Sequence, residues 1–212
     1  MNFLDLTNGN DSFVLEPGQA NGAVVRGLAG NDTIFGSEDA ENIQGNDGND
    51  DIIGGGGMDT LSGGAGDDTL TSLNDSITLF GGSGNDFLFG GTGDDILHGG
   101  RGTDNVDGGG GNDTLDGGLG VRDLLIGGAS HGNDVFILRG NNTFADPSSA
   151  AEIFDFNPDT DEIGLTGGVS EGDLSLVADG DNTLIRLGVS GEYLGVVDGV
   201  SPEKIAGHFI SA

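Results

Sequence analysis

The sequence predicts an all-β chain wound as a coil of short strands. A nine-residue unit, Gly-Gly-x-Gly-x-Asp-x-U-x with U a large apolar residue, stands twice in succession over Gly81–His98 and continues in phase from Gly27 to Asp116. The last three positions of each unit put one apolar residue between two outward neighbours, the pattern of a strand buried on one face. The inward residues are Ile34, Ile43, Ile52, Leu61, Leu70, Leu79, Leu88, Leu97, Val106 and Leu115. The first six positions must turn the chain, and glycine reaches positive φ without a Cβ clash. Two units make one coil with strands on opposite sides, so turns two units apart stack on one edge. Neighbouring coils are expected about 4.8 Å apart. An acidic linker would need neither the apolar ninth-residue period nor an aspartate two positions before it.

One edge then carries Asp32, Asp50, Asp68, Asp86 and Asp104, with Asp123 next in line. The other carries Glu41, Asp59, Asp95 and Asp113, with Asp134 beyond a slip in phase. Glycine carbonyls aimed one way, with one carboxylate per turn, make a ring of oxygen donors. The candidate ligands are these acids and Asp11, with the turn residues Gly45, Gly48, Gly63, Gly66, Gly81, Gly84, Gly90, Gly93, Gly99, Gly102, Gly108 and Gly111. Such a ring suits calcium, which takes about 6–8 oxygens in flexible geometry, better than magnesium, which wants a stricter octahedron. Zinc is disfavoured by the absence of cysteine and the scatter of His98, His131 and His208. A cation between stacked turns is expected to be shared by two aspartates, giving roughly five to eight ions concentrated on the first edge.

The pattern bends in places. Residues 36–44 keep the opening Gly36 but put Glu41 at the ligand position, with Asp39 nearby. Residues 72–80 lose every glycine and put Ile77 there, leaving Asn74 and Asp75 as substitutes. After Asp116 the units lengthen, so that Asp123 with Leu125, and Asp134 with Phe136, fill the ligand and core roles. Before Gly27, Gly9-Asn10-Asp11-Ser12-Phe13-Val14 has the same ending.

Asp and Glu number 36 against 6 Lys and Arg, a formal charge of −30, with 34% hydrophobic residues. That combination is a signature of disorder. It is reconciled with a regular strand repeat if cations bound only by the folded chain supply the missing stability. Such acidity argues against nucleic acid and anionic membrane surfaces as partners. There is no Cys and hence no disulfide. Met1–Asp5 lacks the basic and apolar regions of a cleavable leader. No apolar run is long enough to span a membrane, so no membrane insertion is expected. Extracellular calcium modules bind at about 10⁻⁴–10⁻³ M. Sites of that strength would stay empty in the cytosol, which places the folded chain outside the cell.

The repeat resembles the calcium-binding nonapeptide repeat of RTX (repeats-in-toxin) proteins. The resemblance implies a right-handed parallel β-roll with calcium between the turns, export by type I secretion machinery, and a bacterial, extracellular location. It divides the chain into an N-terminal degenerate repeat or cap (1–26), the roll (27–137) and a C-terminal β cap with a secretion signal (138–212). In the last part, Glu152–Leu165 reads as strand, turn, strand, with Pro158-Asp159 as the turn signal. Its I-x-D-F…D-x-I-x-L pattern is similar to the segment that follows the roll in RTX exoproteins, including serralysin-type proteases. Asp155, Asp159 and Asp161 are candidates for one further ion, against a reading as ordinary turn carboxylates. Asp173–Ala178 and Thr183–Gly188 read as a hairpin across Asp179-Gly180-Asp181-Asn182. Tyr193–Val200 reads as another strand, and Ser201-Pro202 as a helical start with Pro at N1.

No catalytic constellation is read: there is neither H-E-x-x-H nor G-x-S-x-G. Two readings follow. The first is a secreted, monomeric calcium-binding protein with a structural or surface-binding role, its partner at a cell surface or a polysaccharide. The second is the export and folding module of a larger exoenzyme, such as a protease, lipase or epimerase. On one outer face Phe35, Ile53, Phe87 and Phe89 are apolar at outward positions. They are expected either to be scattered surface residues or to lie covered, with the segment around Phe3 and Phe13 as the cover.

Overall fold

The computed structural model describes residues 2–20, 22–73, 75–128 and 132–212; Met1, Asn74 and His131, named above, lie outside the described residues. The strands fall alternately into two sheets. One holds β1 (Phe3–Asp5), β3 (Val24–Ala29), β5 (Asn42–Asp47), β7 (Thr60–Ala65), β9 (Thr78–Ser83), β11 (Ile96–Gly102), β13 (Thr114–Gly120), β15 (Val135–Arg139), β17 (Glu162–Thr166) and β21 (Phe209–Ser211), in that spatial order. The other runs from β2 (Ser12–Val14) through β4 (Thr33–Phe35), β6 (Asp51–Ile53), β8 (Thr69–Thr71), β10 (Phe87–Gly91), β12 (Asn105–Gly109) and β14 (Leu124–Ile126) to β16 (Ala151–Phe154). It is completed by β20 (Tyr193–Val197), β19 (Asn182–Leu187) and β18 (Leu174–Asp179).

Pairing is parallel from coil to coil in both sheets, as Thr60↔Thr78 and Leu88↔Val106 illustrate. The chain therefore forms a parallel β-roll of about seven turns. The nine-residue period sets this register, because a slip by one residue would turn every apolar side chain outward. All ten predicted core residues are buried in one continuous cluster, joined by Val25, Leu125, Phe136, Ile153 and Ile163. Each such burial is worth roughly 1.5–3 kcal/mol, and one residue per unit is a thin core.

Three features differ from the sequence reading. Strands of the first sheet run six or seven residues where the turn glycines join the ladder, as in Thr60–Ala65 and Ile96–Gly102, rather than three. The expected seams at 26 and 137 fall inside β3 and β15, and β1 and β2 stack on the roll as a coil of it. Glu152–Leu165 is one more coil, with β16 on β14 and β17 on β15, because Ile153 and Ile163 keep the inward alternation. The cap proper is the β18–β19 hairpin, with Gly180 at φ 64°, followed by β20 and the turn of helix α1 (Pro202–Ile205). Phe35, Phe87 and Phe89 stay exposed on the outer face; Phe3 belongs to the opposite sheet and does not cover them.

Candidate metal sites on the turn edges

The ligand-position acids form two ladders. On the first edge the backbone N–H of each acid donates to the Oδ1 of the next coil's acid. The bonds run Asp11 to Asp32 (2.8 Å), Asp32 to Asp50 (2.8 Å), Asp50 to Asp68 (2.8 Å), Asp68 to Asp86 (2.9 Å), Asp86 to Asp104 (2.9 Å) and Asp104 to Asp123 (3.1 Å). On the second edge Glu41 donates to Asp59 (2.8 Å), Ile77 to Asp95 (2.9 Å), Asp95 to Asp113 (2.9 Å), Asp113 to Asp134 (2.9 Å) and Asp134 to Asp161 (3.2 Å). The two rows read from the sequence are thus the two edges of the roll, and both lengthened units keep their acid in line.

One oxygen of each carboxylate is spent on this ladder. The other is buried without a hydrogen-bond partner among the described residues at eight aspartates: Asp32, Asp50, Asp59, Asp68, Asp86, Asp95, Asp104 and Asp113. Leaving a buried carboxylate oxygen unsatisfied costs several kcal/mol unless a cation compensates it. The glycines keep room beside these oxygens. A Cβ on Gly81 would press against Asp86 Oδ2 and lie 2.5 Å from the Gly99 carbonyl oxygen. A Cβ on Gly99 would lie 2.6 Å from Asp104 Oδ2 and 2.8 Å from the Gly117 carbonyl oxygen. The fourth-position Gly84 has φ 131° and rests on the Gly66 carbonyl, a place no side chain can take. Gly90 repeats the first arrangement, Gly45, Gly63 and Gly108 share its contact with the aspartate Oδ2, and Gly48, Gly66, Gly102 and Gly111 repeat the second. Gly93 alone of the predicted set departs: it lies over the glycine-free 72–80 unit, against Asp75 and Ser76, and has no positive φ.

Among the described residues no three His, Cys, Asp or Glu side chains converge as a metal-binding group. An ion held at these edges would have to draw mainly on main-chain carbonyls, with carboxylates from the flanking turns. That donor set, all oxygen and irregular, fits calcium. Burial pushes the carboxyls of Asp59, Asp68, Asp113 and Asp134 up to about 7, against the ladder N–H bonds, and stacked acids add to the rise. Burial likewise brings Asp86, Asp95, Asp104 and Asp123 to about 6. Without a cation, these groups resist ionisation.

The ends of the rows differ chemically from their middles. Asp11 Oδ2 accepts from the Thr7 N–H and hydroxyl, both at 2.8 Å. Glu41 has its carboxylate held by the Ser37 N–H and hydroxyl. Asp161 accepts from Asn157 N–H (2.8 Å) and the Thr160 hydroxyl (2.9 Å). The second row is broken at Ile77, which is 3% exposed and packs into the core, its Cδ1 beside Gly54 where Asp59 Oδ2 also points. Ser72 opens that unit in place of glycine, and its buried hydroxyl has no partner among the described residues. Asp155, Asp159 and Asp161 do not form one three-acid group: Asp155 feels the charge of Asp161 but its oxygens accept the Gly127 and Gly128 N–H groups at 3.0 Å, and Asp159 is exposed.

A second ladder escaped the sequence reading. One position before each acid, Asn31, Asn49, Asp67 and Asn85 accept the next coil's N–H at 2.7–3.1 Å, as do Asp94 and Asn112 on the other edge. The recurring Asn-Asp and Asp-Asp pairs carried its signal. Short Asx side chains reach a neighbouring main-chain N–H readily.

Geometry and donor set define a parallel β-roll whose turn edges offer oxygen donors suited to a hard cation. Residues 20–52, 35–70, 78–106 and 89–124 match the RTX calcium-binding nonapeptide repeat, four copies in all. The chain thus carries RTX calcium-binding repeats. No curated protein matches it in sequence. Among solved structures it is similar to the extracellular lipase LipA from Serratia marcescens, with 18% identity and a TM-score of 0.48 over 90% of this chain. The chain spans only 40% of that lipase's length. It is also similar to a subunit of the mannuronan C5-epimerase from Azotobacter vinelandii, with 24% identity and a TM-score of 0.42, covering 69% of this chain and 79% of that one.

Proposed function

We propose that this chain is a secreted module that stays unfolded where calcium is scarce and folds on meeting extracellular calcium. The observation that carries this reading is the set of eight buried aspartate oxygens, unpartnered among the described residues and spread over the two edges, on a chain of net charge −30. The acids from Asp32 to Asp123 and from Asp95 to Asp134, with the turn glycines, hold roughly five to eight ions. Asp11, Glu41 and Asp161, whose carboxylates are hydrogen-bonded locally, close the rows and do not ligate. A chain unfolded inside the cell suits export through a type I machine, and its folding outside makes export one-way.

Once folded, it serves as a structural or surface-binding protein. A second reading, the folding module of a larger exoenzyme, is favoured by one end of the roll. There β1 and β2 present unpaired edges, and Leu4, Leu6 and Phe13 are only partly buried against the core. A packed catalytic domain would cover that surface. Circular dichroism during a calcium titration tests the shared part. The expected result is a disordered spectrum in chelator and a cooperative β transition near 10⁻⁴–10⁻³ M calcium. A β spectrum unchanged in excess chelator would overturn it.

A further inference from the structure

The outer face of the second sheet is an apolar strip on an acidic molecule. Its outward residues stand in two rows, two positions apart on β2, β4, β6, β8, β10, β12, β14 and β16, and parallel pairing holds both rows in register. One row carries Val14, Phe35, Ile53, Phe89, Ile126 and Phe154. The other adds Phe87 and Leu124 beside them. Val14 and Phe87 are 58% exposed, Phe89 is 42% exposed, and Phe35 and Phe154 are 37% exposed. The only charges in the two rows are Asp51, Asp107 and Glu152, with no Lys or Arg.

Shape and charge select what can cover this strip. Strands about 4.8 Å apart, each with three residues on the face, make it about 34 Å long and roughly 14 Å wide, or about 500 Å². An apolar patch of that size on a soluble protein marks a place of contact. The hollow of about 200 Å³ beside Phe87 and Phe89 is smaller than the about 300–1,000 Å³ of a small-molecule site. The main chain is already paired within the sheet, so no free edge is offered to a peptide strand. An anionic lipid surface repels a chain of charge −30. A second copy fits. Turned by half a revolution about an axis along the roll, it sets each row against the other row of the same coil. Phe87 then meets the partner's Phe89, Thr69 the partner's Thr71, Leu124 the partner's Ile126 and Asn105 the partner's Asp107. Asp51 meets the partner's Ile53 and Glu152 the partner's Phe154, so no acid faces an acid on the same coil.

We propose that the folded chain pairs face to face with a second copy of itself through this strip, with Phe87 and Phe89 at the centre of the contact. The inference rests on the calcium-folded roll proposed above, but not on its route out of the cell. The pair buries about 1,000 Å² in all, against about 1,600 Å² for a stable interface, so it is weak and reversible. Both copies are strongly acidic, and their repulsion opposes pairing. Each bound calcium cancels two of those charges and so favours it. The monomer expected from the sequence is then the dilute state.

The test is sedimentation equilibrium on the full calcium-saturated chain, with ¹⁵N NMR at low and high protein concentration. A reversible dimer is expected, with Kd of about 10 µM to 1 mM, and with concentration-dependent shifts centred on Phe87 and Phe89. Phe87→Thr with Phe89→Thr copies Thr69 and Thr71 of the same rows, so the fold has room for both. That double variant should weaken pairing about tenfold or more. Asp51→Thr copies Thr33 and Thr69 of its row and should tighten pairing, a gain that damage to the fold would not produce. Added sodium chloride should also tighten it, by screening like charges. Phe80→Ser, on the other sheet and matching Ser62 of its row, should leave it unchanged. Three results would each overturn the proposal. These are a monomer at millimolar chain, pairing indifferent to the double variant, and pairing lost with Phe80→Ser. A chain that stays monomeric and instead binds phosphatidylcholine vesicles through Phe87 and Phe89 would assign the strip to a lipid surface and overturn it as well. Circular dichroism is read on every sample. A β spectrum that persists in chelator would refute calcium-coupled folding and leave pairing to be judged by its own result, whereas no β spectrum in calcium would refute both.

Discussion

Replacing Asp68 by Asn separates calcium ligation from the hydrogen-bond ladder. Asp68 Oδ1 accepts the Asp50 N–H at 2.8 Å, and the Asp68 N–H donates to Asp86 at 2.9 Å. Asn keeps an Oδ1 acceptor and the same shape, so the ladder survives. What changes is the unpartnered Oδ2, which becomes an NH₂ group that cannot ligate a cation. Asp68 stands between Asp50 and Asp86 and so serves two inter-turn positions. At 10 mM calcium, a site with Kd near 10⁻⁴–10⁻³ M adds about 1.4–2.7 kcal/mol. Losing two such sites should cost about 3–5 kcal/mol. Asp59 has Glu41, held by Ser37, on one side and Ile77 on the other, so Asp59→Asn should cost about half as much or less. In chelator the sign of the effect reverses. Removing a buried carboxyl whose pKa stands at about 7 should stabilise any residual roll at pH 8. Isothermal calorimetry gives the stoichiometry and urea melts in calcium and in chelator give the stability. An equal loss of ions from both variants, or an equal cost of Asp68→Asn with and without calcium, would refute this account of the sites.

In chelator the chain should gain β structure as pH falls. The folded carboxyls titrate at about 6–7 and the unfolded ones near 3.8, so the fold binds more protons and its stability, full below about 4, is lost as pH rises through 6–7; a circular dichroism spectrum flat from pH 8 to 4.5 would contradict this. Restoring the repeat at the break with Ser72→Gly and Ile77→Asp should add one or two ions on the second edge while weakening the calcium-free state, which calorimetry on the double variant measures. Gly84→Ala places a Cβ against the Gly66 carbonyl at φ 131° and should cost at least about 1–3 kcal/mol in a calcium-saturated melt. Leu88→Ala removes a residue from a core only one side chain deep per unit and should cost about 2–5 kcal/mol in the same assay.

The period of nine residues by itself determined the coil, its register, the inward residues and the two rows of acids. Side-chain alternation and glycine turns are local properties, and repetition transmits them unchanged from coil to coil. Ile77 could likewise be read in advance as a break, since a side chain without oxygen cannot ligate. The lengthened units around Asp123 and Asp134 were legible too, because an insertion in a turn leaves the strand ending x-D-x-U-x intact.

Only the tertiary structure decided what each carboxylate does. Asp11, Asp161 and Glu41 look like their neighbours in sequence, yet Thr7, Thr160 with Asn157, and Ser37 satisfy them at 2.8–3.1 Å or closer. Asp161 was legible as an acid two residues before Ile163, but not as the last rung of the Asp134 row, because that depends on a turn of 27 residues closing back into register. The ion-pair cluster on the first sheet was not legible at all. His98, Asp116 and Arg139 are separated by up to 41 positions in sequence, and only the stacking of coils sets them side by side. Periodicity reports what every unit shares, whereas a binding surface is made where a few units differ, and which of those differences become neighbours is fixed by the fold.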